Sequence, residues 1–220
     1  MKIEINNVSK KMKKDYILKN IDLTLNSGVI TGFSGINGSG KTMLMRMIAG
    51  LIKPSEGTII IGDKQLWKDI SFPQSIGILI ENPAFLDSYS GLENLWMIAS
   101  INKRIDKNQV REVISSVGLN PDDKKKYKKY SLGMKQRLGI AAALMEKPEI
   151  ILLDEPTNAL DSSGIEMLKK LIINERSRGA LIVISCHDAN ILKELSDEVY
   201  YLKEGSISDY QKIKKEDGIK

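Results

Sequence analysis

Residues 29–52, VITGFSGINGSGKTMLMRMIAGLI, decide how the rest of the chain is read. A short apolar run enters a glycine-rich turn, and behind the turn apolar residues recur at helical spacing, so the order is strand, loop, helix. Inside it, GINGSGKT at residues 35–42 satisfies G-x-x-x-x-G-K-[ST] in the context that this pattern requires. Gly35, Gly38 and Gly40 let the backbone wrap close to a phosphate, so that N–H groups of the loop, those of Asn37 and Ser39 included, cradle it. The helix N-terminus adds its positive dipole end, Lys41 reaches the β- and γ-phosphates, and Thr42 ligates Mg²⁺. A glycine turn without a ligand is the plain alternative, and the strand-to-helix context weighs against it.

Upstream, KIEINNV and YILKNIDLTLNSG alternate apolar and polar residues, which predicts strands before the loop. Downstream, GTIIIGDKQL reads as a strand and turn, and SIGILIENP as a buried strand stopped by Pro83. From about residue 90 to residue 144 the pattern turns helical, with GLENLWMIASI, KNQVREVISSVGL and KQRLGIAAALM separated by turns. EIILLDEP and ALIVISCHD are then apolar runs of the fully buried, parallel kind, with a helix over SSGIEMLKKLIINERS between them. EVYYLKEGSISDY reads as a hairpin, followed by a Lys-rich tail.

In an open parallel sheet, ligands bind at the carboxyl ends of the strands, and three candidate groups stand there. Asp154 and Glu155 follow the run IILL: Asp154 is placed to hold Mg²⁺ through its water shell, and Glu155 to polarise an attacking water. An acidic helix cap is the plain alternative for that pair. His187, the single histidine of the chain, follows LIVIS and is placed to hydrogen-bond a γ-phosphate.

Composition narrows the classes. Over 220 residues, 42% hydrophobic and 28% charged are values of a globular chain, and they predict one folded domain. The 33 Lys+Arg against 28 Asp+Glu give +5, much of it in short lysine runs such as KKKYKK at residues 124–129. Such runs read as solvated faces, and 5% aromatics offer little for stacking bases, so no nucleic-acid partner is expected. One cysteine, Cys186, excludes an intrachain disulfide and reads as a buried small hydrophobe. The start of the chain has no signal-peptide core, and no apolar run reaches about 18 residues, so no span is expected.

Together these residues resemble the nucleotide-binding subunit of ABC transporters over nearly the whole chain. The resemblance rests on a Walker A loop at residues 35–42, a Walker B strand at residues 150–154 with Glu155, a D-loop NALD at residues 158–161 and the switch histidine His187. YSLGM at residues 130–134 looks like the signature usually written LSGGQ, with Tyr130, Leu132 and Met134 in place of Leu, Gly and Gln. The fold this implies is α/β: a P-loop NTPase core on a parallel sheet, an N-terminal antiparallel β subdomain and an α-helical signature subdomain at approximately residues 84–145, all in one domain spanning 1–220.

The same resemblance implies ATP and Mg²⁺ as cofactors and ATP hydrolysis as the activity, with Lys41, Glu155 and His187 catalytic. It implies two cassettes, as a homodimer or heterodimer, joined head to tail with ATP between them. Ser131 and Gly133 of one then cap the phosphate held by the other, and Asp161 of the D-loop counts among the nucleotide-binding residues. Glu81 stands where the family has the Q-loop glutamine and is expected beside the metal with Thr42 and Asp154. Segments of the form IG.LIE.P resemble the bacitracin and lantibiotic export or immunity branch. The adenine-stacking place falls on Met12, with Tyr16 nearby. A separate transmembrane permease is the implied partner, on the cytoplasmic face of the membrane. A ribosome- or DNA-directed ABC ATPase and a P-loop kinase are the alternatives. The first usually needs paired cassettes or long coiled-coil insertions, and the second needs neither YSLGM nor NALD.

Overall fold

The computed structural model describes residues 1–213, and the end of the Lys-rich tail, residues 214–220, lies outside them. Two sheets carry the chain. The first is antiparallel, in the order β2-β1-β4-β5, from β1 (Lys2–Met12), β2 (Asp15–Asn26), β4 (Glu56–Ile61) and β5 (Lys64–Gln65). Its alternation is that of the sequence: Ile3, Ile5, Leu23, Leu25, Ile59 and Ile61 turn inward while their neighbours face solvent. A bulge at Asn7, which has a φ of +49°, shifts the register between Ile5 and Val8 and returns Val8 to the buried face.

The second sheet has the order β10-β9-β3-β8-β7-β6. β3 (Ile30–Ser34), β6 (Ile76–Leu79), β7 (Ile150–Asp154), β8 (Leu181–Ser185) and β9 (Glu198–Lys203) are parallel, and β10 (Ser206–Lys212) closes the edge as the antiparallel arm of a hairpin. All five residues of β7 and of β8 are buried, because both faces of the sheet are covered. Alternate residues divide between two cores. Ile151, Leu153, Ile182 and Ile184 face the one shared with the helices of the chain's second half. Ile150, Leu152, Leu181 and Val183 face the one shared with the antiparallel sheet and helix α1 (Lys41–Ile48).

Between β6 and β7 the chain makes α2 (Gly91–Asn102), α3 (Lys107–Ser116) and α4 (Leu132–Leu144). Both α2 and α3 start in full capping boxes, Ser90 with Glu93 and Asp106 with Gln109, which explains their sharp starts. The N-cap of α4 is Ser131, whose hydroxyl accepts from the Met134 N–H, so this helix starts three residues before Lys135, where the spacing began it. Then come α5 (Ser162–Ser177) and α6 (Ala189–Leu195), the latter a short helix that the sequence pattern did not announce. SIGILIENP was expected to be strand up to Pro83, yet β6 stops at Leu79, Ile78 is exposed and Glu81 adopts a φ of +62°. The segment 80–83 is therefore a turn at the strand end, and not strand.

Helix α4 crosses directly over β6. A Cβ at Gly77 would overlap the carbonyl oxygen of Ala143, so only glycine allows this closeness. Gly77→Ala should push α4 off the sheet at a cost of about 2 kcal/mol, the range of core overpacking. For a domain of this size that lowers Tm by roughly 4–8 °C, read by circular dichroism; an unchanged Tm would show that the contact relaxes freely.

Candidate nucleotide site

A cleft of about 680 Å³ opens at the carboxyl ends of β3 and β7 and is lined by the phosphate loop, Asp154, Glu155 and His187, within the size range of small-molecule sites. The loop conformation demands glycine. Gly40 has a φ of +107°, and a Cβ there would meet Leu18 Cδ2 at 2.5 Å and the Ile17 carbonyl oxygen at 3.2 Å. Gly38, at φ +80°, has nothing within 4 Å of a Cβ, so the loop's open side lies there. Lys41 is buried at the first position of α1, its Nζ donating to the carbonyls of Gly35 at 2.6 Å and Ile36 at 3.2 Å. The Ser39 hydroxyl is buried with no hydrogen-bond partner among the described residues.

Thr42 Oγ1 donates to Asp154 Oδ2 at 2.6 Å, which ties α1 to the end of β7. The other oxygen of Asp154 accepts from the Ser185 hydroxyl at the end of β8. Glu155 leaves the strand with a φ of +51°, its N–H donating to Ser185 Oγ at 3.1 Å. Its carbonyl accepts from Gln136 Nε2 at 3.1 Å and from the Asn158 N–H at 3.2 Å. On its side chain, Oε2 accepts from the His187 N–H at 3.0 Å, and Oε1 lies 3.4 Å from His187 Nε2, buried and without a hydrogen-bond partner among the described residues. Burial raises the pKa of this carboxyl, His187 and Lys41 oppose the rise, and Asp154 adds to it.

The structure thus brings Asn37, Gly38, Ser39, Gly40, Lys41, Thr42, Asp154, Glu155 and His187 to one cleft. Gly35 lies behind it as an acceptor for Lys41. Glu81 also lines the cleft, with its carboxylate paired to Arg46. Three other residues lie apart from it: Ser131 caps α4, a Cβ at Gly133 would meet the Ala159 carbonyl at 2.9 Å, and Asp161 caps α5 while pairing with Arg137 at 3.2 Å. Met12 and Tyr16 also lie outside the lining. The Tyr16 hydroxyl is engaged by Glu56 at 3.2 Å and its ring by Lys11, and Ile17 is the residue of that hairpin that reaches the cleft. Cys186 is buried against the Thr157 hydroxyl.

Gln136 and Arg46 were missed by sequence reasoning, and Asn158 was read only as the first residue of NALD. Gln136 could have been found, since it interrupts the buried face of α4 that Ile140 and Leu144 continue at spacing of four, and a polar group in that row needs a partner. Arg46 carries no such signal. Among the described residues no group of three His, Cys, Asp or Glu side chains could hold a metal; of the three residues expected beside one, Thr42 and Asp154 are in contact and Glu81 pairs with Arg46. One hydroxyl and one carboxylate suit an ion that keeps several of its waters and takes others of its ligands from phosphate.

The family profile described as ABC transporter matches residues 18–158. The chain belongs to the ABC transporter family. It is 45% identical over 211 residues to the ABC transporter ATP-binding protein YybJ of Bacillus subtilis (strain 168), covering 96% of this chain and 97% of that one. It is 35% identical over 207 residues to the bacitracin transport ATP-binding protein BcrA of Enterococcus faecalis, covering 93% of this chain and 67% of that one. Among solved structures, the dimeric post-hydrolysis state of the ATP-binding cassette MJ0796 bound to ADP and Pi superposes with a TM-score of 0.84 at 27% identity, over 97% of this chain and 99% of that one. The chain is an ABC ATPase, built on the α/β core with parallel sheet, antiparallel β subdomain and helices that the motifs implied.

Glu155 gives a test by pH. Its raised pKa means that the folded protein binds this proton more tightly than the unfolded chain, so the contribution to stability is full below the unfolded pKa and is lost as pH rises through the folded one. Glu155→Gln carries no such charge. In nucleotide-free protein its Tm should exceed that of the wild type near neutral pH, and the gap should close as pH falls toward about 4.3. A gap independent of pH would remove the buried charge as its cause.

Proposed function

We propose that this chain hydrolyses ATP as the cassette of a membrane transporter, paired with a second cassette and seated on a separate permease at the cytoplasmic face of the membrane. The observation that carries the reading is the division of its motifs. Lys41, Thr42, Asp154, Glu155 and His187 converge in one cleft, while Ser131 and Gly133 stand outside it with Ser131 exposed. A second cassette turned head to tail would bring its Ser131 hydroxyl and the N-terminus of its α4 over the γ-phosphate. The MJ0796 structure, dimeric and bound to ADP and Pi, supports that arrangement.

In this reading, the loop amides and Lys41 bind the phosphates, with Lys41 exchanging its carbonyl acceptors at Gly35 and Ile36 for phosphate oxygens. Thr42 and Asp154 hold Mg²⁺, which neutralises phosphate charge when bound. Glu155 orients a water through Oε1, the oxygen left without a partner, and takes its proton as the water oxygen bonds to the γ-phosphorus and the bond to the ADP oxygen breaks. The His187 N–H fixes the other carboxylate oxygen, and His187 lines the same cleft. ATP and water are consumed; ADP and phosphate leave.

A second groove beside the cleft is lined by Leu51, Ile78, Ile80, Pro83, Phe85 and Ile98, of which Leu51, Ile78 and Ile98 are exposed. Exposed apolar surface of this kind suits a docking element of the permease. No helix among the described residues is long and apolar enough to cross a membrane, so in this reading the translocation path belongs to the partner. The relative BcrA is named for bacitracin transport, and this reading takes export as the direction.

Lys41→Ala and Glu155→Gln should each lower phosphate release with Mg²⁺ and ATP by roughly 10²-fold or more, the usual loss for a phosphate clamp or a water-orienting base. Size-exclusion chromatography should show Glu155→Gln dimerising with ATP, and Gly133→Trp should abolish that dimer while ATP still binds. Retention of activity within a few-fold in Glu155→Gln would remove its assigned role.

A further inference from the structure

Glu81 puts a carboxylate in the lining of a site built for a polyanion, and the structure shows what accompanies it. Its left-handed backbone turns the side chain onto the guanidinium of Arg46 in α1. Arg46 stands four residues after Thr42, so the two share one face of the helix, and Arg46, Glu81 and Thr42 all line the cleft. Arg46, Glu81 and Asn82 also line the neighbouring apolar groove, so the pair stands in the wall between the two cavities. The side chains are 29% and 65% exposed, and ion pairs so exposed add little to stability. Its place beside the phosphate loop therefore matters more than its strength.

We propose that Arg46 is the positioning residue for Glu81: it holds the carboxylate away from the phosphates and neutralises it there, so nucleotide affinity depends on the pair and not on either charge alone. The proposal rests on the reading of this cleft as an ATP site. Released from Arg46, Glu81 is a free anion in the lining of the cleft and repels the triphosphate. Released from Glu81, Arg46 is a free planar donor suited to phosphate oxygens. Each residue thus cancels the effect of the other, and removing one exposes the opposite behaviour of its partner.

The test is ATP binding by calorimetry in EDTA at low salt, for wild type, Arg46→Gln, Glu81→Gln and the double variant, with Lys41→Ala as the control for the cleft. A unit charge at roughly 8 Å and an effective dielectric near 20 changes a binding constant by roughly ten- to thirtyfold. Arg46→Gln should therefore weaken ATP binding by about tenfold, Glu81→Gln should tighten it by a few-fold, and the double variant should return to within about threefold of wild type. Both single effects should shrink at high salt. Mg²⁺ should restore part of the loss in Arg46→Gln, because the freed carboxylate then faces a cation. A brace that is only structural would shift Tm in both single variants alike and leave ATP affinity unchanged.

Shifts of the same sign in the two single variants, or neither beyond about twofold, overturn the assignment while leaving the ATP site intact. Failure of the wild type to bind ATP, or binding that Lys41→Ala leaves untouched, overturns the site and the proposal with it. Should Arg46→Gln fail to fold, Arg46→Lys keeps the charge without the fork, and tightening in Glu81→Gln still decides the sign.

Discussion

The hydrogen bond from Thr42 to Asp154 is the point on which the site depends. It joins the helix that follows β3 to the end of β7, and β8 lies between those strands in the sheet. The Ser185 hydroxyl fills that intermediate place by donating to the other oxygen of Asp154. Three strands are thus fixed at their carboxyl ends by two hydroxyls and one carboxylate, and the lysine, the acid and the histidine take their positions from those ends. A single buried carboxylate with both oxygens engaged tolerates little displacement of any of the three.

Glu155 is held more firmly by its backbone than by its side chain. Its N–H is bonded to Ser185, and its carbonyl to Gln136 and Asn158, which stabilises a left-handed conformation that a glutamate otherwise avoids. Because Gln136 belongs to α4, the helix whose N-cap is Ser131, a displacement at the signature end of α4 reaches the carbonyl of the acid directly. Arg137 extends the same helix's reach, to the Val117 carbonyl behind α3 and to Asp161 at the start of α5. The glycine contact of β6 with Ala143 fixes the other end of α4 to the sheet.

Much of this was legible in the sequence because it rests on local pattern. The phosphate loop needs glycine at fixed offsets before Lys41 and Thr42, and the buried parallel strands show as continuous apolar runs ending in Asp154 and His187. What was not legible depends on contacts between distant segments. Met12 was placed against adenine by counting along the chain; it lies outside the lining of the cleft, which Ile17 of the same hairpin reaches. The bond of Gln136 to Glu155 spans 19 residues, and the pairing of Arg46 with Glu81 spans 35. Neither spacing carries a period that a sequence could display. The end of β6 was misjudged because the apolar run continues through Ile80, while the backbone has already turned toward Glu81.

The most direct measurement is a structure of the Glu155→Gln protein determined with Mg²⁺ and ATP. The account predicts two chains head to tail, with Ser131 Oγ of one within about 3 Å of the γ-phosphate over Lys41 of the other and the metal between Thr42 and Asp154. ATP bound with no second chain's Ser131 near it, or bound away from the phosphate loop, would contradict it.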